Sequence, residues 1–285
     1  MTNLFDGVAY GMLLFVLASG LAVTLGLMNF INLAHGVFAM AGGYIAVGLV
    51  NRAGVPFFAA LPLTFVLSAL IGSVLERTLY VRVYRKSHLD QVLFTLGLVF
   101  MAVAVVDYTQ GSQQQFVDLP PILQQRYRIW GVGVGSYQLF VIAVCGVLTI
   151  ALQYVLMRTR FGSQLRAAVD DDQVARGLGI NVNRIFAVTF AAGSGLAGLG
   201  GALGAEVLGL VPSFPLTVMI YFLIVVAVGG TTSIIGPFLA ALLLGVADIA
   251  GKYYIPEAGV FIIYTVMIAV LIWRPHGLFG HVTLR

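Results

Sequence analysis

A serine between glycines is the first residue that could do chemistry. Ser194 lies in Ala192-Gly193-Ser194-Gly195, a setting suited to a nucleophile inside an apolar helix. A nucleophile needs a base placed beside it. The apolar runs that follow hold no histidine, and His276 and His281 lie beyond the last of them. Gly245…Gly251-Lys252-Tyr253 has the outline of a phosphate loop, but it is one residue too long and ends in Tyr where Ser or Thr is needed. The lone cysteine, Cys145, excludes an internal disulfide and a cysteine metal cluster. No paired carboxylates or metal-ligand spacing appear. The chain is expected to be no enzyme, to hold no metal or cofactor, and not to bind ATP itself.

Polar groups set deep in apolar sequence are more informative. Asn29, Asn32, His35 and Gly36 interrupt an otherwise apolar stretch from Leu4 to Val50. In lipid such groups cost several kcal/mol unless paired. They predict a helix break whose freed backbone faces protein or water. Two readings stay open: a lining of the substrate path, or a polar joint between helices. Gly229-Gly230-Thr231-Thr232-Ser233 with Gly236-Pro237 makes a comparable break late in the chain. Both breaks carry a Gly followed two residues later by Phe, a hint of an internal repeat.

The strongest pattern is a charged island, Arg158 to Arg184, between two apolar runs. It holds five arginines and the run Asp170-Asp171-Asp172. Alanines, leucines and valines recur among the charges at helical spacing, and Gly177 and Gly179 offer a stop. The spacing predicts one short amphipathic helix at a membrane face, a handle for another protein.

The elements that position these groups follow from composition. The 285 residues are 60% hydrophobic and 9% charged, with a mean hydropathy of +1.01. Soluble domains carry about 25% charge, so lipid is the solvent. A crossing needs about 20 apolar residues. Candidates lie near 6–27, 30–50, 56–75, 91–109, 137–157, 185–206, 214–230, 235–250 and 257–273. The second and eighth are glycine-rich and are expected to be broken or re-entrant. The fold class is thus all-α, a polytopic membrane bundle of eight to nine spans forming one domain over 1–285. Met1 is expected to begin the mature protein, because no basic start precedes the first apolar run.

Arg77, Arg82, Arg85 and Lys86, then the island, then Arg274 and Arg285, alternate with less basic loops. The positive-inside rule puts the N-terminus outside and the C-terminus inside. The net charge of +4 therefore reflects topology and not a nucleic-acid surface. The external loop from Gln110 to Ser136 carries Tyr127 and Trp130 as interface anchors and has room for a short surface element. Asp107, Glu206 and Asp248 fall at outer span ends, either as a rim for an external partner or as plain interfacial acids. Gly193, Ala197, Gly201 and Ala205, with Gly200 and Gly204, recur every fourth residue, the spacing of close helix packing in lipid.

Three stretches together carry a resemblance: Asn29-Phe-Ile-Asn32-Leu-Ala-His35-Gly36 with Gly42-Gly43-Tyr44, the island's end Gly177-Leu-Gly179-Ile180-Asn181, and Gly229-Gly230…Gly236-Pro237. The chain resembles the permease subunits of branched-chain amino acid ABC importers, of the shorter of two paired types. The likeness runs over almost the whole length. It implies a bacterial or archaeal inner-membrane importer. A second permease subunit, this chain again or a longer relative, would complete the pore. Two ATPase subunits would dock inside, and a periplasmic solute-binding protein would deliver substrate. The island becomes the coupling element, with Arg166, Ala168, Asp170, Asp171, Asp172, Gly177, Gly179 and Ile180 at the ATPases. Many such loops carry Glu-Ala-Ala with a Gly a few residues on. Here Arg166-Ala167-Ala168 stands in its place and the first Gly is Gly177, a departure that leaves the docking register open. Leucine, isoleucine and valine are the implied substrates, with urea and short amides used by similar permeases. A stand-alone channel or secondary transporter is disfavoured by the few ionisable residues at mid-membrane.

Overall fold

A computed structural model describes residues 2–28, 30, 32–84, 86–129, 132–230, 235–275 and 277–279. Helices dominate: α1 Thr2–Met28, α2 His35–Val47, α3 Phe57–Thr78, α4 His88–Gln110, α5 Ser136–Arg158, α6 Arg160–Asp170, α7 Asp172–Gly177, α8 Val182–Leu208, α9 Phe214–Gly229, α10 Ile235–Tyr254 and α11 Gly259–Trp273. A helix satisfies its own backbone, which lipid demands. Among the described residues six stretches are long and apolar enough to cross a membrane: Asn3–Leu25, Phe57–Arg82, His88–Gln110, Ser136–Arg158, Val182–Leu208 and Ile235–Tyr254. α9 and α11 are shorter apolar helices.

The nine expected runs all contain helix, and of the two expected to be irregular one is and one is not. The second run is broken as predicted: α2 begins only at His35 and passes into a π-helical turn, Gly48–Arg52. The eighth run, expected to be broken, is a 20-residue helix. Its glycines serve packing instead. A Cβ on Gly11 of α1 would stand 2.7 Å from the Ala241 carbonyl oxygen, and one on Gly245 would stand 2.7 Å from that of Gly7. The seventh and ninth runs, taken for full crossings, reach only 16 and 15 residues. Gly230 ends the seventh at φ +85°, a backbone state suited to glycine. The Pro256–Ala258 turn delays the start of the ninth.

The helices gather into two compact units. One comprises Ser19–Asp118 and Thr149–Met219. Its centre is α8, with α2 and α3 packed along it. Of the expected small-residue row, Gly201 lies against the Ala39 backbone of α2. Two glycines outside that row also receive neighbours: a Cβ on Gly195 would meet the Phe65 ring of α3 at 2.8 Å, and Gly42 of α2 lies against the Gly198 backbone. Asn51 ties the α2–α3 connection to the loop after α4, donating to the Phe116 carbonyl at 2.9 Å and accepting from the Asp118 amide at 3.0 Å.

The other unit comprises Met1–Ala18, Leu119–Leu148 and Ile220–Arg285. The surface element expected before Ser136 is an antiparallel hairpin of β1 Arg126–Ile129 and β2 Val132–Gly135, with Arg126 opposite Gly135. Tyr127 is exposed there, and Trp130 lies outside the described residues.

Candidate functional site: the island and the two breaks

The island is two helices, not one. Thr159 caps α6 by accepting from the Gly162 amide. The backbone of Asp171 is extended, at φ −152° and ψ 105°, and its carboxylate accepts from the Gln173 and Val174 amides at 2.9 and 3.0 Å. An N-cap aspartate of this kind starts a new helix, so the break falls inside the aspartate run. Asp172 pairs with Arg176 at 3.3 Å one turn on, and Arg176 also reaches Asn183 at 2.8 Å. Gly179, at φ +82°, reverses the chain toward α8, whose N-cap Asn181 accepts from the Arg184 amide.

The platform has a small core of its own. Ala168, Ala175 and Val182 are buried together, with Ile180 and Phe186 against them. Ala168 therefore faces inward and supports the platform. The Arg166 guanidinium donates to the Leu156 carbonyl at the end of α5, which seats α6 on that helix. Asp170, Asp171, Gly177 and Gly179 lie at least partly exposed. Two apolar side chains that sequence reasoning passed over are exposed as well, Val174 at 58% and Leu178 at 76%.

The first break belongs to the unit centred on α8. Asn29 lies outside the described residues. Asn32 is 1% exposed. Its Oδ1 accepts from the Tyr80 hydroxyl at 3.2 Å, while its Nδ2 is buried without a hydrogen-bond partner. Leu33 donates its amide to the Thr95 hydroxyl at 3.3 Å. His35 opens α2 beside Gly20 and is buried. A Cβ on Gly36 would stand 2.8 Å from the Pro215 carbonyl oxygen. The Ser194 hydroxyl donates to the Phe190 carbonyl in its own helix at 2.9 Å.

Around this turn stands an aromatic cluster that no local spacing announced. Phe30 meets Tyr80 and Tyr84 edge to face, with centroids 5.6 and 5.1 Å apart. Tyr80, fully buried, also meets Phe190 of α8 at 4.6 Å and Phe94 of α4 at 5.6 Å. The Tyr84 hydroxyl donates to the buried Glu76 carboxylate at 3.2 Å. Burial, and next the negative charge of Glu76, push the Tyr84 phenol well above its usual range. Glu76 had a sequence signal: Thr64, Ser68, Gly72 and Glu76 recur every fourth residue along α3 and are all buried.

The second break belongs to the other unit. Thr231, Thr232 and Ser233 lie outside the described residues. Gly229 and Gly230 are buried, and Gly236 is buried at the start of α10. The chain after α11 returns onto this corner: Leu278 donates to the Val228 carbonyl at 2.8 Å, and a Cβ on Gly277 would stand 2.6 Å from the Gly230 nitrogen.

The acids expected at an outer rim differ from one another. Asp107 is exposed and accepts from the Ser112 hydroxyl at 2.6 Å. Glu206 is half-buried. Asp248 is 1% exposed and paired with Lys252 at 2.5 Å, so it offers no free carboxylate.

Long apolar helices around a broken one, with a capped polar platform between two of them, define a polytopic α-helical membrane protein. The profile of the branched-chain amino acid transport system / permease component family matches residues 3–271, and the chain belongs to that family. It is similar to the probable branched-chain amino acid transport permease protein LivH of Methanocaldococcus jannaschii, at 27% identity over 96% of this chain and 90% of that protein. Similar again is the high-affinity permease protein BraD of Pseudomonas aeruginosa, 27% identical over 98% of this chain and 95% of that protein. The LivM permease protein of Salmonella typhimurium is 27% identical over 94% of this chain but only 68% of its own length. Among solved structures, PsaBC from Streptococcus pneumoniae in complex with Fab shares the fold, with a TM-score of 0.54 and 11% identity over 95% of this chain and 91% of that one.

Proposed function

We propose that this chain is the permease subunit of an ATP-driven importer for branched-chain amino acids, with its N-terminus outside and the α6–α7 platform in the cytosol. ATPase subunits grip the platform, a solute-binding protein delivers substrate from outside, and a second permease subunit completes the path. The observation that carries this reading is the build of the platform. It is capped and cored on its own, anchored to α5 and α8, and it leaves Val174 and Leu178 exposed among charges. Apolar side chains rimmed by polar ones suit a protein groove better than water. Membership of the permease family supports the substrate class.

The first break supplies the path. Asn32 Nδ2 is a buried polar atom without a hydrogen-bond partner at that break, and a passing amino acid has the groups to engage such an atom. A hydrophobic substrate needs few such anchors, which suits a path with so few charges.

The test is reconstitution of the complete transporter into proteoliposomes. ATP-dependent accumulation of radiolabelled leucine, competed by isoleucine and valine, is the expected result. Accumulation of urea or a short amide with no leucine transport would replace the substrate assignment. Uptake of leucine without ATPase subunits would overturn the importer reading.

A further inference from the structure

The platform and the first break stand more than a hundred residues apart in sequence, yet one side chain touches both neighbourhoods. Phe186, at the start of the second turn of α8, packs on the platform core of Ala168, Ala175 and Val182. Its ring also meets Tyr84, with centroids 6.5 Å apart at 81°. Tyr84 in turn meets Phe30, and Phe30 meets Tyr80, which holds Asn32. Every member of this chain lies in the same compact unit. We infer that Phe186 and Tyr84 are positioning residues that carry displacement of the α6–α7 platform to the Asn32–Ala34 turn, and so set whether that turn is open to substrate.

The inference rests on the importer reading, and it adds a route that the reading does not contain. Packed rings transmit displacement because a dense interior has little slack. Aromatic pairs favour both edge-to-face and offset-stacked geometry, which gives such rings two arrangements to exchange. The receiving end is suited to switching. Asn32 uses its Oδ1 but not its Nδ2, so a second arrangement can exchange one hydrogen bond for another. The Tyr84–Glu76 bond fixes the middle ring against α3, which keeps it from turning aside when Phe186 moves. α8 itself is held at Gly198 and Gly201 by close contacts to α2, so motion near its start is passed sideways through rings as well as along the helix.

Nucleotide-dependent hydrogen exchange on the assembled transporter tests this. The reporters are the platform amides of 171–180 and the Leu33 amide, which is bonded to Thr95. In the unaltered protein, adding ATP under non-hydrolysing conditions should change protection at both. In Phe186→Ala and in Phe186→Leu the platform should still respond, while the Leu33 response shrinks by about two- to thirtyfold, the range for residues along a coupled network. Phe186→Tyr, which keeps the ring, should restore it. Phe186→Leu retains apolar bulk on the platform core, so it decides the matter if Phe186→Ala fails to assemble. An undiminished Leu33 response in Phe186→Leu would overturn the inference and leave the importer reading standing. Absence of any platform response to nucleotide in the unaltered protein would remove the importer reading, and this inference with it.

Discussion

The Tyr80 hydroxyl donates to Asn32 Oδ1 across 3.2 Å, between two side chains that are both almost fully buried. This bond joins the Tyr80–Arg82 turn after α3 to the turn that precedes α2. Removing the hydroxyl strands a buried acceptor, while removing the ring opens a hole among Phe30, Phe94 and Phe190. Tyr80→Phe should therefore cost about 1–2 kcal/mol, and Tyr80→Ala about 3–5 kcal/mol. Thermal unfolding in one detergent, run on both variants, checks the order. Equal losses would mean that the ring adds nothing beyond its hydroxyl.

Close helix packing makes a second, sharper prediction. Gly42 of α2 lies against the backbone of Gly198, so an alanine there must force two helices apart. Gly97 of α4 has open space where a Cβ would go. Gly42→Ala should lose about 1–3 kcal/mol through overpacking. Gly97→Ala should be neutral or gain up to about 1 kcal/mol from helix propensity. Unfolding midpoints measured side by side give the comparison, and a destabilised Gly97→Ala would contradict the packing described.

How much of this was legible in the sequence depends on the range of the interaction. α1, α3, α4, α5 and α8 could be read directly, because each needs only a continuous apolar run. The break before α2 could be read as well, since Asn32 and His35 are costly in lipid wherever they point. The regularity of α10 could not, because a glycine that packs against Gly11 looks the same in sequence as one that breaks a helix. The split of the island at Asp171 was hidden for a related reason. Three adjacent aspartates do not declare which one turns its carboxylate back on the amides of the next helix. The cluster of Phe30, Tyr80, Tyr84, Phe94, Phe186 and Phe190 was invisible, because its members come from well-separated stretches of the chain and meet only after folding.

The three aspartates of the island should behave differently when replaced. Asp171 caps α7 with two hydrogen bonds. Asp170 ends α6, where a negative charge opposes the helix dipole. Asp171→Ala should destabilise the platform by about 0.5–2 kcal/mol and weaken retention of the ATPase subunits during purification. Asp170→Asn should leave both unchanged or slightly improved. Co-purified ATPase per permease is the measurement. If Asp170→Asn sheds the ATPases while Asp171→Ala keeps them, the platform is gripped through charge and not through shape.

Topology can be tested because the native chain has a quiet background. Cys145 is fully buried in α5, so a water-borne maleimide meets no accessible thiol in the folded protein. Gln173 on α7 and Gln124 before the hairpin are both exposed, so cysteines placed there are accessible from one aqueous side or the other. A membrane-impermeant maleimide applied to intact cells should modify Gln124→Cys and spare Gln173→Cys. Permeabilising the cells should make the second site react as fast as the first. Reaction of Gln173→Cys in sealed cells would put the platform on the outer face, where no ATPase can reach it.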